Sequence, residues 1–527
     1  MPCTFDAHIE GKLMPSLIGA DRSFLEAVLK LAYCNPFLPE RIAYEREALG
    51  QDFHDAEPVW SMQVEDPDRP RANITKISNR LETICQKLRE HIASGSSLID
   101  REWELYEVAV LFALYRKYEE SLHIAILKEM DTKSGHGQFG FYADFFRDWQ
   151  HYFHIPTIAT RVTQEPSHMF ASFYQLRRAF HLIFHYIIGT SMAAVRLRAA
   201  AWQSIFTHDM RRYRKMLYER ISDITTLIMG PSGTGKELVA RAIGLSRYIP
   251  FDEKRKTFGG NFSSAFHALN LSALPSTLIE SELFGHRRGA FTGALQDRRG
   301  WLEICEPWES VFLDEVGDLD PSIQVKLLRV LQTRTFQPLG DTKDKLFHGK
   351  IIAATNRDLA AALRKGDFRT DFYYRLCSDI IVTPSFHEQL CESPQLLREM
   401  IIFVARSLVG EEAEGLADEV ETWIKEHLGQ DYTWPGNIRE LEQCVRSVLI
   451  RAEYYPPQTP VHSARERLIS SIVGGTLTAE DLLTQYCTLV YSQTRSYSET
   501  AKKLKLDRRT VRKKLDPRLL TELSVES

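Results

Sequence analysis

Apolar residues recur at Leu81, Ile84, Cys85 and Leu88, a three- and four-residue spacing that predicts a helix over 80–91. The stretch from Trp103 to Ile126 keeps the same period, and Pro156 and Pro166 punctuate an aromatic-rich stretch after it. Residues 1–196 therefore read as a mostly helical domain. From residue 197 the pattern changes. Short apolar runs at Ile224–Met229, Val311–Leu313 and Ile351–Ala354 alternate with helical segments. Runs of this kind between polar or glycine residues predict buried parallel strands, so 197–385 is expected to be α/β. Residues 386–452 read as helices, and Pro456, Pro457, Pro460 and Gly474–Gly475 mark 453–477 as a linker. Residues 478–527 open with three short helical patterns.

Length and composition agree with that division. At roughly 150 residues per domain, 527 residues suggest three to four domains. A chain that is 44% hydrophobic and 26% charged is a globular one, not disordered or collagen-like. The net charge of -4 excludes a polycation that coats nucleic acid, but the average hides an asymmetry. Residues 495–515 hold nine Lys/Arg and two acids, a local +7, which leaves -4 - 7 = -11 on the rest. A basic end on an acidic body suits a nucleic-acid-binding module. The eight cysteines form no CxxC and no ligand-like pairing with histidine, so reduced thiols in a cytoplasmic protein are expected, without a disulfide or zinc framework. The N-terminus has no apolar core of a signal peptide, and the most apolar stretch, Phe180 to Val195, is too short to span a bilayer. No membrane partner is expected.

Gly230-Pro-Ser-Gly-Thr-Gly-Lys236 follows one apolar run and precedes a helical stretch. In a strand–loop–helix of this kind, Gly230, Ser232, Gly233, Thr234 and Gly235 let backbone N–H groups curl around phosphate oxygens. Lys236 then reaches the β- and γ-phosphates. The generic motif has Ser or Thr next, where this chain has Glu237. Val311-Phe-Leu-Asp314-Glu315 ends an apolar strand in two acids, suited to a metal-binding Asp and a carboxylate that polarises water. Taken alone, that pair reads as an ordinary strand followed by a solvated acidic turn, and the phosphate loop decides for nucleotide. Asn356, at the tip of Ile351-Ile-Ala-Ala-Thr-Asn356, lies either beside a γ-phosphate or in a plain turn.

With Glu280-Ser-Glu-Leu-Phe-Gly-His-Arg-Arg-Gly289-Ala-Phe-Thr-Gly-Ala294, Phe368-Arg-Thr-Asp-Phe-Tyr-Tyr-Arg375 and Trp434-Pro-Gly-Asn-Ile-Arg439, the chain resembles the bacterial enhancer-binding proteins, the AAA+ ATPase activators of sigma-54 RNA polymerase. The resemblance covers about 200–450 and the C-terminal helices. It implies an AAA+ α/β core with a helical lid, with ATP and Mg²⁺ as cofactors. Under it Asp314 holds the metal, Glu315 activates water, Asn270 restrains that glutamate and Asn356 is the sensor asparagine. Arg369 and Arg375 reach a neighbouring subunit's site, and Arg439 is the lid's sensor arginine. Gly289, Ala290, Phe291, Thr292, Gly293 and Ala294 form the loop that touches sigma-54, and Glu237 is the family's habit. The implied partners are upstream DNA, the sigma-54 holoenzyme and further copies of the chain in a hexameric ring. Two segments depart from the pattern. Cys305-Glu-Pro-Trp-Glu-Ser310 stands where Gly-Gly is usual, and Ser385-Phe-His-Glu-Gln-Leu replaces a Leu-Arg-Glu-Arg type of sequence at the subdomain junction.

At the C-terminus, Thr478 is expected to cap a helix that turns Leu482, Leu483, Tyr486, Cys487 and Val490 inward. Ser498 is expected to cap a second helix that buries Ala501 and Leu504, and Asp507 a third that buries Val511 and Leu515 before Pro517 stops it. Arg508, Arg509, Thr510, Arg512 and Lys513 then face outward, as in a helix-turn-helix whose third helix enters the major groove. The segment resembles the Fis-like domain of the same family. Lys505 occupies the turn position where glycine is usual, at ~1–2 kcal/mol if left-handed.

Other signals are weaker. Gly135-His-Gly-Gln-Phe-Gly140 lacks a preceding strand and reads as a loop. His151/His154 and His181/His185 read as packed among aromatics, and Asp52 and Asp55 have no strand before them. The expected function is an ATP-hydrolysing activator of sigma-54 RNA polymerase. The alternatives are a DNA-binding regulator that uses ATP only for assembly, and an AAA+ remodeller of another partner. Residues 1–196 are expected to be a sensory domain of unidentified type.

Overall fold

The computed structural model describes residues 19–55, 72–96, 98–131, 137–158, 161–429, 432–456, 468–469, 471–472, 477–517, 519–520 and 523. The expected linker lies largely outside these residues, as do Gly135 and His136 of the rejected glycine motif. The chain divides into two compact units, Met1–Val445 and Arg446–Ser527.

The first unit begins with helices α1 (Gly19–Tyr33), α2 (Glu40–Leu49), α3 (Ala72–Ala93), α4 (Asp100–Asp131), α5 (Tyr142–Phe153), α6 (Pro166–Tyr186) and α7 (Met192–Phe206). The helix read from 80–91 is the centre of α3, which buries Ile77, Leu81, Ile84, Cys85, Leu88 and Ile92 along one face. Trp103 to Ile126 lies within α4, whose 32 residues span about 48 Å at 1.5 Å per residue. Pro166 starts α6, where its missing N–H has no helical partner to lose. In α6 the His181 ring lies 5.2 Å from His123 and 5.8 Å from His185.

Helix α7 runs across residues 196 and 197, with Trp202, Ile205 and Phe206 buried near its end. The three-residue helix α8 (Met210–Arg212) and one turn of π-helix at Tyr213–Leu217 then lead to strand β1 (Thr226–Met229) and helix α9 (Lys236–Gly244). Phe139, Phe170 and Tyr174 stack with Phe251 and Phe258, which belong to the hairpin β2 (Phe251–Asp252) and β3 (Thr257–Phe258). The N-terminal helices and the α/β part thus share one apolar core.

A five-stranded parallel sheet follows from β1, β4 (Phe266–Asn270), β5 (Ser310–Asp314), β8 (Lys350–Thr355) and β9 (Asp379–Val382), in the order β4-β5-β8-β1-β9. A second hairpin joins β6 (Thr335–Phe336) to β7 (Lys345–Leu346). The three predicted runs are the central strands β1, β5 and β8. In parallel sheets ligands bind beyond the carboxyl ends of strands, near the point where strand order reverses. Here Met229 pairs with Thr355, and Asn270 with Asp314, at that edge.

Lys350, at the start of β8, is 1% exposed and donates to the Ile224 carbonyl at 2.7 Å. Burial pulls its pKa down to about 7, Arg247 and Arg334 act in the same direction, and Asp379 opposes them. The unfolded chain keeps this proton up to about pH 10.5, so between these values the folded state binds fewer protons. Stability from this group therefore rises with pH above 7. Denaturant titrations at pH 7 and 9 should show wild type gaining about 2 kcal/mol on Lys350→Met, by 1.36 kcal/mol per pK unit. Parallel profiles would mean that the lysine is not desolvated.

In the second unit, helices Ala479–Thr494, Tyr497–Leu504 and Arg508–Lys513 pack around Cys487, Val490, Thr500 and Val511. Thr478 caps the first helix and Asp507 the third, as expected. The second cap is Ser496, not Ser498, because Ser496 has the extended backbone and its hydroxyl accepts from the Glu499 N–H. Leu482 and Tyr486 are exposed rather than inward, and Ala501, Leu504 and Leu515 are only half-buried, since three short helices cover little surface. Lys505 is left-handed at φ 52°.

Candidate functional site

The phosphate loop joins β1 to α9. Gly233 (φ 79°) and Gly235 (φ 84°) are left-handed, a conformation open to glycine. A Cβ at Gly233 would lie 2.3 Å from the Gly436 carbonyl oxygen, and one at Gly230 would lie 2.1 Å from Thr383 Oγ1. Thr383, just past β9, donates its N–H to the Met229 carbonyl at 2.8 Å, and its hydroxyl lies 2.7 Å from that of Thr234. No motif pointed to Thr383, yet it buttresses the loop from the edge strand.

Lys236 is buried, and its ammonium donates to the carbonyls of Gly230 and Pro231, both at 3.0 Å. Burial lowers its pKa, and the charges of Glu315 and Asp314 oppose that. The lysine therefore lies within electrostatic range of both acids. Burial and the Glu315 charge raise the Asp314 pKa. Two adjacent carboxylates in that state suit a hard divalent cation, which would relieve their repulsion. Glu237 is bonded to Arg241 at 2.9 Å, and its charge also acts to raise the Asp314 pKa.

Glu315 is left-handed (φ 56°), and its Oε2 accepts the backbone N–H of Asn356 at 3.1 Å. Asn270 lies beside this pair in register, but its side-chain oxygen accepts from the N–H (3.0 Å) and hydroxyl (2.8 Å) of Ser272. In this state the glutamate is restrained by Asn356 rather than by Asn270.

The helix Asn437–Arg451 begins against the loop. Ile438 N–H donates to Gly233 O at 3.1 Å, Asn437 Nδ2 to Ser232 O at 2.9 Å, and Arg439 to Ser232 Oγ at 3.1 Å. Asn437 also accepts the Phe386 N–H at 2.8 Å. Phe386 opens the helix in the divergent junction, which Ser385 and Glu388 close with a capping box. The unusual junction sequence thus carries its own cap, and Asn437, which lies within the Trp434–Arg439 motif but had no role read for it, ties it to the phosphate loop.

Arg369 is the N-cap residue of the helix Thr370–Leu376, and Arg375 lies in its last turn. Arg369 makes two bonds to Asp371, at 3.0 and 2.8 Å. Arg375 is exposed, and among the described residues its guanidinium has no ion-pair partner.

The loop Gly289–Ala294 closes on itself through Gly289 N–H to Ala294 O (2.9 Å) and Ala294 N–H to Phe291 O (3.0 Å). Its stem is held by the His286–Arg298 bridge and by Arg287, which pairs with Asp297 (2.9 Å) and Asp341 (2.8 Å). Ala290 packs by Gly340, and Thr292 stands at the exposed tip. Phe291 is 38% exposed, with its ring 5.0 Å from His286. Leu295, which the sequence reading passed over, is 81% exposed.

In the second unit Arg508, Arg509, Arg512 and Lys513 are exposed, whereas Thr510 is half-buried. A further cluster joins residues distant in sequence. His267, Cys305 and Glu309 place ligand-type atoms within 4.8 Å of one another, with the His267–Glu309 bond at 2.8 Å and the thiol pushed up to about 12 by burial. No helix of the described residues is long and apolar enough to cross a membrane.

The segment that carries this site is similar to known proteins. Residues 204–381 match the family described as "Sigma-54 interaction domain". The hydrogenase transcriptional regulatory protein HoxA of Bradyrhizobium diazoefficiens is 39% identical over 231 residues, 44% of this chain and 44% of HoxA. The transcriptional regulatory protein GlrR of Escherichia coli K12 is 41% identical over 230 residues, 42% of this chain and 47% of GlrR. The formate hydrogenlyase transcriptional activator FhlA of the same organism is 40% identical over 230 residues, 44% of this chain and 30% of FhlA. The chain thus spans less than half the length of these relatives.

Proposed function

We propose that this chain, whose residues 204–381 match the sigma-54 interaction domain family, is an ATPase that activates transcription by sigma-54 RNA polymerase. One observation carries the reading. A phosphate loop whose lysine lies within electrostatic range of paired carboxylates and a braced loop with an exposed tip occur together in the matched segment. Bound ATP would draw Lys236 from the Gly230 and Pro231 carbonyls to its β- and γ-phosphates. Asp314 would hold Mg²⁺, which supplies charge neutralisation. Glu315 would polarise the attacking water, with Asn356 and Asn270 beside it. Arg375, and secondarily Arg369, would reach the γ-phosphate of a neighbouring copy, which makes catalysis depend on a ring. Arg439 would report nucleotide state to the lid through Ser232.

The loop Gly289–Ala294 would then press on sigma-54, while Arg508, Arg509, Arg512 and Lys513 hold DNA upstream and Thr510 sits at its edge. Phosphate contacts of this kind give steep salt dependence. The test is Thr292→Ala. ATP hydrolysis should stay within about twofold of wild type, while transcripts from a sigma-54 promoter fall at least tenfold. Unchanged transcription would remove the loop from the mechanism. Wild-type transcription that persists with a non-hydrolysable analogue would favour a regulator using ATP only for assembly.

A further inference from the structure

A cavity of about 190 Å³ lies among α1, α4, α6, α7 and the π-turn at Tyr213–Leu217, away from the phosphate loop. Its walls are mostly apolar, including Leu31, Val108, Phe112, Phe173 and Phe206. A dry apolar cavity of about 150 Å³ admits benzene, so this one has room for one ring with a short substituent.

The polar groups of the wall are incompletely used. Gln175 is 1% exposed; its Nε2 donates to Tyr213 Oη (2.7 Å) and to the Ser246 carbonyl (2.9 Å), but its Oε1 has no hydrogen-bond partner. Trp202 is 3% exposed and its indole N–H has no acceptor. The Nε–H groups of Arg116 and Arg214 are likewise buried without acceptors, although Arg116 pairs with Glu119 and Arg214 with Glu107 at 3.2 Å. Buried polar groups left unmatched are destabilising, and a ligand that matches them relieves that cost. Three such donors and one acceptor line a single apolar chamber. The turn that carries Tyr213 and Arg214 is π-helical, a geometry that recurs at functional sites.

We infer that this cavity is a binding site for a small hydroxylated aromatic carboxylate. The ring fills the apolar chamber, the carboxylate accepts from the arginine and indole N–H groups, and the hydroxyl donates to Gln175 Oε1. The same glutamine holds the carbonyl two residues past α9, the helix that Lys236 begins. Occupancy therefore meets the phosphate-loop helix through one side chain. The inference concerns binding and does not require the chain to hydrolyse ATP.

The experiment is calorimetry on the full chain with 4-hydroxyphenylacetate, with 4-hydroxyphenylacetamide and 4-ethylphenol as neutral controls. Binding in the micromolar range is expected, at least tenfold tighter than either control. Ser172→Phe fills the chamber from α6, and Arg116→Gln removes a donor. Each should weaken binding at least tenfold while retaining the wild-type circular dichroism. If one variant fails to fold, the other and the neutral controls still decide. No heat at millimolar acid, equal binding of the neutral compounds, or undiminished binding by a folded Ser172→Phe protein would overturn the assignment.

Discussion

Glu315→Ala should bind ATP nearly as well as wild type and hydrolyse it about a thousandfold more slowly, within the ~10²–10⁴ range for losing a positioned base. Binding should survive because the phosphate cradle is built from other groups: the left-handed glycines, Lys236 and the Thr383 buttress. Among the described residues, the side chain's one hydrogen bond is from the Asn356 N–H. Its loss costs about 1 kcal/mol and leaves Asn356 exposed to water. Backbone strain does not enter, since residue 315 is left-handed with either side chain. Calorimetric ATP titration and phosphate release measure the two quantities. Wild-type turnover would remove Glu315 from the chemistry, and lost binding would mean that it belongs to the cradle.

Arg375→Ala should reduce turnover by about 10³-fold or more, as expected for loss of a charge supplied to the γ-phosphate from a neighbour. Arg369→Ala should have the smaller effect, because its guanidinium is already held by Asp371 in two bonds. Among the described residues, Arg375 has no such partner to give up. A mixing experiment separates a role in trans from a local one. Combining Arg375→Ala with Glu315→Ala protein creates interfaces in which an intact Glu315 faces an intact Arg375. Up to about a quarter of wild-type activity should return, by random pairing of a trans-acting arginine. If the mixture stays as inactive as its components, Arg375 acts within its own subunit or not at all.

The sites of greatest chemical density were legible because their motifs are local. A glycine loop between a strand and a helix, and acids at a strand end, need neighbouring residues only. The central strands β1, β5 and β8 were legible because strands covered on both faces are continuously apolar. The edge strands were not. Phe266–Asn270 and Asp379–Val382 are partly exposed, so polar and apolar residues mix in them and no clean run stands out. The cap at Ser496 was misread by two residues because Ser496 and Ser498 are both good capping types, and only backbone dihedrals distinguish them.

By itself the chain's order of residues determined the helical first third, the three central strands, the phosphate loop with its acids, the glycine-flanked loop at Gly289–Ala294 and the basic third helix of the C-terminal end. Each follows from side-chain period or from a motif within about fifteen residues. Tertiary structure alone decided that Thr383 and Asn437 brace the phosphate loop and that Asn356 rather than Asn270 holds Glu315. It also decided that Arg369 is tied to Asp371 while Arg375 has no ion-pair partner among the described residues, and that Trp202, Gln175 and two arginines surround one chamber. Apart from the Arg369–Asp371 pair, these contacts join residues far apart in the chain. Their energies depend on burial and on which donors meet which acceptors, and neither is defined until the sheet and its helices have packed.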